Sequence, residues 1–196
     1  MIIKYKCKNI LTLSDTHGKH RQIPFQKVDI AIHTGDACND GNEEELLDFF
    51  QWFAHYPAEY KIFIAGNHEL LFEFEPDQFM KRIPGNIIFL ENEKLFLEGL
   101  LFLSLAARPW LHVLPNAMEP QHIDFLLSHG PPKTILDNQM GCPKLLQFVT
   151  HNNPTYHLFG HIHEEGQKQI EFNKTIFING SNFKQCQNEV TYPDTC

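Results

Sequence analysis

Five apolar runs in this chain end directly in groups of side chains able to bind a metal, and this recurrence constrains the fold more than any other feature. The run NILTLS leads into Asp15-Thr16-His17, DIAIHT into Gly35-Asp36, YKIFIA into Gly66-Asn67-His68, IDFLLS into His129, and YHLF into Gly160-His161-Ile162-His163. Short runs rich in β-branched and aromatic residues, bounded by turn residues, read as strands. In open α/β sheets ligands bind beyond the carboxyl ends of the strands, so polar groups placed there from several strands converge on one site. Alone, D-x-H or H-x-H arises often by chance, and GD or GNH is an ordinary turn. Their joint occurrence at successive strand ends is what carries the reading.

Strands are expected over 9–14, 28–33, 61–65, 86–89, 100–105, 123–128, 156–159, 169–172 and 175–178, with longer amphipathic stretches between some of them, so the chain reads as an α/β domain. Asn42 is placed to cap a helix whose first turn is acidic and whose stripe is Leu46, Leu47, Phe50 and Phe53, stopped by Pro57. A second helix runs from Pro143 to about His151, with Leu145, Leu146, Phe148 and Val149 inward, and a third, short one lies within 73–82. At 196 residues and 42% hydrophobic content the chain buries one sizeable core. One domain is therefore expected over 1–183, followed by a polar tail, 184–196.

The N-terminal residues do not resemble a signal peptide, and no apolar run is long enough to span a bilayer. Five widely spaced cysteines without C-x-x-C argue against a disulfide framework or a thiolate metal site, and fit a reducing cytoplasm. A formal net charge of −8 repels extended nucleic acid, which leaves a small phosphate compound as the expected partner.

The candidate ligands are Asp15, His17, Asp36, Asn67, His129, His161 and His163. They offer carboxylate, carboxamide and imidazole groups and no thiolate, a set suited to Mn, Fe or Zn. Residues two apart in an extended segment face the same side, which would pair Asp15 with His17 and His161 with His163. Seven ligands exceed the needs of one ion. If Asp36 bridges, each of two ions receives four protein ligands and keeps positions open for water and substrate. His33 and His157 read as strand histidines, and His20, His55, His112, His122 and His151 as surface or packing residues. Asp40, Asp48 and 43–45 read as loop or helix-surface charge.

These five segments resemble the calcineurin-like metallophosphoesterase superfamily, whose pattern is D-x-H, G-D, G-N-H-[DE], a glycine-flanked histidine and G-H-x-H in that order. LSDTH, HTGD, IAGNHEL, LLSHGPP, HLFGHIHE and FING are further similar to the metallophosphoesterase-domain-containing group, with brain-type and bacterial relatives of class III cyclic-nucleotide phosphodiesterase type. The resemblance implies a metallo-dependent phosphatase-like fold, a four-layer sandwich of two facing mixed β-sheets flanked by helices. It implies two divalent or trivalent metal ions, one on Asp15, His17, Asp36 and His163, the other on Asp36, Asn67, His129 and His161. It makes His68 a catalytic side chain. Glu69, next in sequence, reads as a residue that orients His68, because groups behind a functional side chain commonly set its direction, and Arg108 reads either as a phosphate contact or as an ordinary surface arginine. The implied reaction is hydrolysis of phosphodiester bonds in small substrates such as 2′,3′- or 3′,5′-cyclic nucleotides, by attack of a hydroxide bridging the metals. A phosphomonoesterase, a nucleotide pyrophosphohydrolase and a non-catalytic protein-binding scaffold of the same fold are the rival readings. Between Leu105 and Ile123 the chain departs from the group, carrying Ala107-Arg108-Pro109-Trp110 in a shorter connection.

Overall fold

A computed structural model describes residues 1–113 and 122–185. The first sheet holds β1 (Ile2–Tyr5), β2 (Lys8–Leu13), β3 (Val28–His33), β4 (Ala58–Phe63) and β5 (Ile88–Phe89), adjacent in that order. The second holds β6 (Lys94–Leu97), β7 (Leu100–Ser104), β8 (Phe125–Leu127), β9 (Tyr156–Phe159), β10 (Lys168–Phe172) and β11 (Thr175–Asn179), in the order β10-β11-β9-β8-β7-β6. Both sheets are mixed. In the first, β2, β3, β4 and β5 are parallel and β1 is antiparallel. In the second, β7, β8, β9 and β11 are parallel and the two edge strands antiparallel.

Alternation along the strands explains the layers. In β3, Ile30 and Ile32 face the second sheet, while Ala31 joins Phe49, Phe50 and Phe53 on the other side. In β8, Phe125 and Leu127 face the first sheet, while Leu126 packs with Leu145, Phe148 and Val149. Strands buried on both faces read as continuous apolar runs, the pattern seen in the sequence. Helix α1 (Glu43–Ala54) covers the first sheet, together with α2 (Leu70–Phe74) and α3 (Pro76–Arg82), and α4 (Pro143–Asn152) covers the second. The result is the four-layer sandwich expected.

Asn42 caps α1 by accepting the amide N–H of Glu45 at 3.1 Å. The buried face of α1 is Leu46, Phe49, Phe50, Trp52 and Phe53, so Phe49 and Trp52 replace Leu47 of the expected stripe. The helix expected within 73–82 is two helices. Pro76 cannot donate a backbone hydrogen bond and disfavours helical backbone in the residue before it, and Glu75 sits at φ −136°, ψ 62°.

Strands β1 and β6 were not expected. The β1–β2 hairpin turns on Lys6 and Cys7, both left-handed at φ 45° and 62°, without the Asn-Gly that normally signals such a turn. Strand β6 alternates half-buried Leu95 and Leu97 with exposed Lys94 and Phe96, so its sequence has little apolar contrast. Residues 186–196 of the polar tail and 114–121 of the departing connection lie outside the described residues. Among the described residues, no helix is long and apolar enough to cross a membrane.

Candidate metal centre

The seven expected ligands meet where the parallel strands of both sheets end. Asp15 and His17 follow β2, Asp36 follows β3 and Asn67 follows β4, all from the first sheet; His129 follows β8, and His161 and His163 follow β9, from the second. Three sets of side chains each bring one ligand atom per residue within 4.8 Å: Asp15, His17 and His163; His17, Asp36 and His68; and Asp36, His129 and His161. Asp36 belongs to two of them. His129 Nε2 is 3.2 Å from Asp36 Oδ2 and 3.0 Å from Asn67 Oδ1, which brings Asn67 into the last set.

Of the two expected pairs, Asp15 and His17 share a set whereas His161 and His163 do not, and the extended backbone assumed for both is absent. Asp15, His17, Asp36 and His161 all have left-handed backbone, with φ of 52°, 42°, 57° and 66°. Asp and His are among the side chains that tolerate this region, and several such residues at one place mark a strained, function-bearing site. The kinks send His161 toward Asp36 and His129, and His163 toward Asp15 and His17, so the two histidines of H-x-H enter different sets.

Tight loop contacts hold these turns. Gly160 lies so close to Asp15 that an added Cβ would overlap Asp15 Oδ2 and Ser14 Oγ. The His161 amide donates to Asp15 Oδ1 at 3.0 Å, and the His68 amide to Asp36 Oδ1 at 2.9 Å. Glu69, 2% exposed, accepts the amide N–H groups of Gly66, Asp36 and Ala37. Burial and then the Asp36 carboxylate raise its pKa, against those three hydrogen bonds. Glu69 thus ties the loop after β4 to the loop after β3. It does not steady the His68 ring, as expected from sequence. Asp40 does so: its amide donates to His68 Nδ1 at 3.0 Å, and its Oδ1 lies 3.1 Å from the same nitrogen.

The electrostatics call for positive charge. His129 is fully buried, its Nδ1 faces the Thr34 carbonyl at 2.8 Å, and its Nε2 faces two oxygens. A neutral imidazole has one N–H, so one nitrogen would point a lone pair at another lone pair. A proton or a cation at Nε2 removes the conflict. Without a cation, burial lowers the His129 pKa but the Asp36 and Asp15 carboxylates outweigh it, holding it up at about 9. Burial would raise both carboxyls, yet Asp15 is held low by His163 and His129, and Asp36 by His129. His161 falls to about 4 through burial and the His129 charge, and burial lowers His17. His17 Nε2 and His163 Nε2 approach to 3.3 Å, and buried His17 Nδ1 has no hydrogen-bond partner among the described residues. Converging imidazole and carboxylate donors of this kind suit a hard to borderline divalent ion.

A cavity of about 180 Å³ opens beside Asn67, lined also by Leu70, Glu73, Arg108, Trp110 and His112. The Arg108 guanidinium is already paired, 2.6 Å from Glu91 and 3.5 Å from Glu73. A phosphate at Arg108 would share the guanidinium with these carboxylates, using its remaining N–H donors.

His33 and His157 are buried strand histidines, as read, bonded to Thr16 Oγ1 at 3.3 Å and Ser128 Oγ at 2.8 Å. His20 packs on Trp52 and lies 3.0 Å from Asp48, which also pairs with Arg21, so Asp48 is not free surface charge. Glu45 accepts from the Asn39 amide at 2.8 Å, likewise more than solvated charge. Asp40 and Phe183, which stacks on His163, had no spacing signal that could have marked them.

Comparison with known proteins agrees with this geometry. Residues 8–165 match the family described as Calcineurin-like phosphoesterase. UPF0046 protein K07C11.7 of Caenorhabditis elegans is 30% identical over 88% of this chain and 69% of its own length. Metallophosphoesterase domain-containing protein 1 of Homo sapiens is 30% identical over 86% of this chain, and the match spans only 64% of the human protein. The solved structure of TT1561 of Thermus thermophilus superposes with a TM-score of 0.60 over 88% of each chain at 13% identity, a likeness of fold alone. With the pattern of ligands and the layered fold in agreement, the chain belongs to the calcineurin-like phosphoesterase family, in its metallophosphoesterase domain-containing group, and by that membership is a metal-dependent phosphoesterase.

Proposed function

We propose that the chain hydrolyses phosphodiester bonds in small substrates such as 2′,3′- or 3′,5′-cyclic nucleotides, with two metal ions held by Asp15, His17, Asp36 and His163 on one side and Asp36, Asn67, His129 and His161 on the other. The observation that supports the two-metal reading is Asp36 Oδ2, which lies 3.2 Å from His129 Nε2 of one proposed ligand set and 3.9 Å from His17 Nε2 of the other. Two such ions would supply Lewis acidity toward phosphoryl oxygens and lower the pKa of bound water to about 7. A net charge of −8 with a locally cationic centre favours a compact phosphate over a long polyanion.

His68 is the proton donor to the departing oxygen in this reading. Asp40 offers Nδ1 an amide donor that suits the neutral ring and a carboxylate that suits the charged one. In the charged ring, and in the neutral tautomer that accepts the Asp40 amide at Nδ1, a proton resides at Nε2, 3.9 Å from Asp36 Oδ2. No side-chain nucleophile is needed. The partially exposed His68 ring, 27% accessible, can reach a substrate atom.

Hydrolysis of bis(p-nitrophenyl) phosphate, measured with and without a chelator, tests the reading. Cyclic nucleotides, monoesters and dinucleotides, each assayed with Mn, Zn and Fe, then separate the diesterase from its rivals. Turnover that survives complete metal removal, or that is confined to monoesters, overturns it.

A further inference from the structure

We propose that Phe183 is a positioning residue that sets the affinity of one metal only, the ion on Asp15, His17 and His163; this rests on the two-metal reading above. The Phe183 ring lies parallel to the His163 ring, centroids 3.9 Å apart and planes at 21°. It also meets the His17 ring edge-on at 5.2 Å and 82°. One phenyl group therefore contacts both imidazoles of the set. His163 is the member open to solvent, its side chain 25% exposed, whereas Asp15 and His17 are 0% and 4% exposed.

Phe183 is held in place by backbone, not by chance contact. Ser181 bridges Ser14, immediately before Asp15, and the Asn182 amide donates to the Ser14 carbonyl at 2.8 Å. Asn179 Nδ2 donates to the Ile162 carbonyl at 2.9 Å, between the two histidines of H-x-H. The exit of β11 is thereby fastened to both loops that carry Asp15 and His163, and Phe183 follows directly. Among the described residues no comparable ring covers the Asp36, His129 and His161 set, whose aromatic contact is the internal pair of His129 and His161 at 5.2 Å.

Two physical effects follow. A phenyl face against a ring limits its rotation, so His163 is presented to the ion already oriented, and groups that orient metal ligands typically change affinity by about 10- to 100-fold. An imidazole that donates to a cation becomes electron-poor, and an aromatic face favours such a partner. Both effects act on one ion of the pair.

Calorimetric titration of the metal-stripped full chain with Mn²⁺ tests this, comparing wild type with Phe183→Ala, Phe183→Leu and Phe183→Tyr. The expected result is that Phe183→Ala weakens one of two binding steps about tenfold or more and leaves the other within about twofold. Phe183→Tyr restores it, and Phe183→Leu, which keeps apolar cover but no ring, does not. Equal weakening of both steps, unchanged binding, or full rescue by leucine overturns the inference while wild-type binding of two ions keeps the two-metal reading. Wild-type protein that binds a single ion sinks that reading, and this inference with it.

Discussion

Glu69 accepts the amide N–H of Asp36 at 2.9 Å and so joins the loop after β4 to the loop after β3, through a carboxylate that, among the described residues, hydrogen-bonds to no expected ligand side chain. With the amides of Gly66 and Ala37, three donors converge on its two oxygens. In Glu69→Gln, one oxygen becomes an N–H₂ facing those donors. Leaving a buried donor unsatisfied costs about 1–3 kcal/mol. Urea denaturation should show a loss in that range, with weaker metal binding. A variant as stable as wild type would mean the brace is dispensable.

His68→Ala is expected to cut turnover about 10²- to 10⁴-fold with metal content unchanged. Because His68 also falls within 4.8 Å of His17 and Asp36, metal analysis of the variant discriminates between roles. Loss of an ion would reassign His68 as a ligand. Asp40→Asn should cost no more than about fivefold, since the Asp40 carboxylate is 93% exposed and exposed ion pairs contribute about 1 kcal/mol or less.

Gly160→Ala should be far worse than its single methyl suggests. The added carbon would overlap Asp15 Oδ2 and Ser14 Oγ, so the loop after β9 must retreat from Asp15. Overpacking of this kind costs about 1–3 kcal/mol, and the His161 amide would lose its carboxylate partner. Near-wild-type thermal stability together with full metal content would refute the close approach.

Stability should fall with pH below about 6.5, through His33 and His157. Burial lowers each to about 3 in the folded chain, against an ordinary value of 6.5. Between those values the unfolded state binds more protons, so folding stability rises with pH across the window and is complete above 6.5. Each histidine contributes up to about 1.4 kcal/mol per pH unit. His157→Leu should lower the slope of unfolding free energy between pH 6 and 4, and an unchanged slope would rule out His157 as a source.

Chelation should destabilise the fold itself. A ligand present at a hundred times its dissociation constant stabilises the native state by about 2.7 kcal/mol. Stripping metal from the full chain should therefore lower its thermal midpoint, and restoring Mn²⁺ should recover it. Identical melting curves would argue that no ion binds the native state selectively.

The ligand positions were legible because each follows an apolar run, and the strand ends could be read from the apolar to polar switch. The strands were legible for the same reason, as β3 and β8 are largely apolar runs buried on both faces, whereas the four layers followed only from the family resemblance. What failed is informative. Spacing assumed extended backbone for Asp15 and His17, but nothing local to D-T-H encodes φ of 52° and 42°; contacts with distant loops impose them. Glu69 stands beside His68 in sequence, which suggested a shared task, yet its carboxylate turns inward to amides 32 and 33 residues away in sequence. Asp40 and Phe183 act through proximity that only the folded loops create.

The seam between the two sheets runs through the candidate centre, because Asp15, Asp36 and Asn67 come from one side of it and His129, His161 and His163 from the other. The spacing of the cage therefore depends on the thickness of a mainly greasy interlayer that includes Ile30, Ile32, Phe125 and Leu127. Trimming a methyl group there would alter bite distance between the halves, so the grip on metal can be retuned by residues that are not themselves ligands.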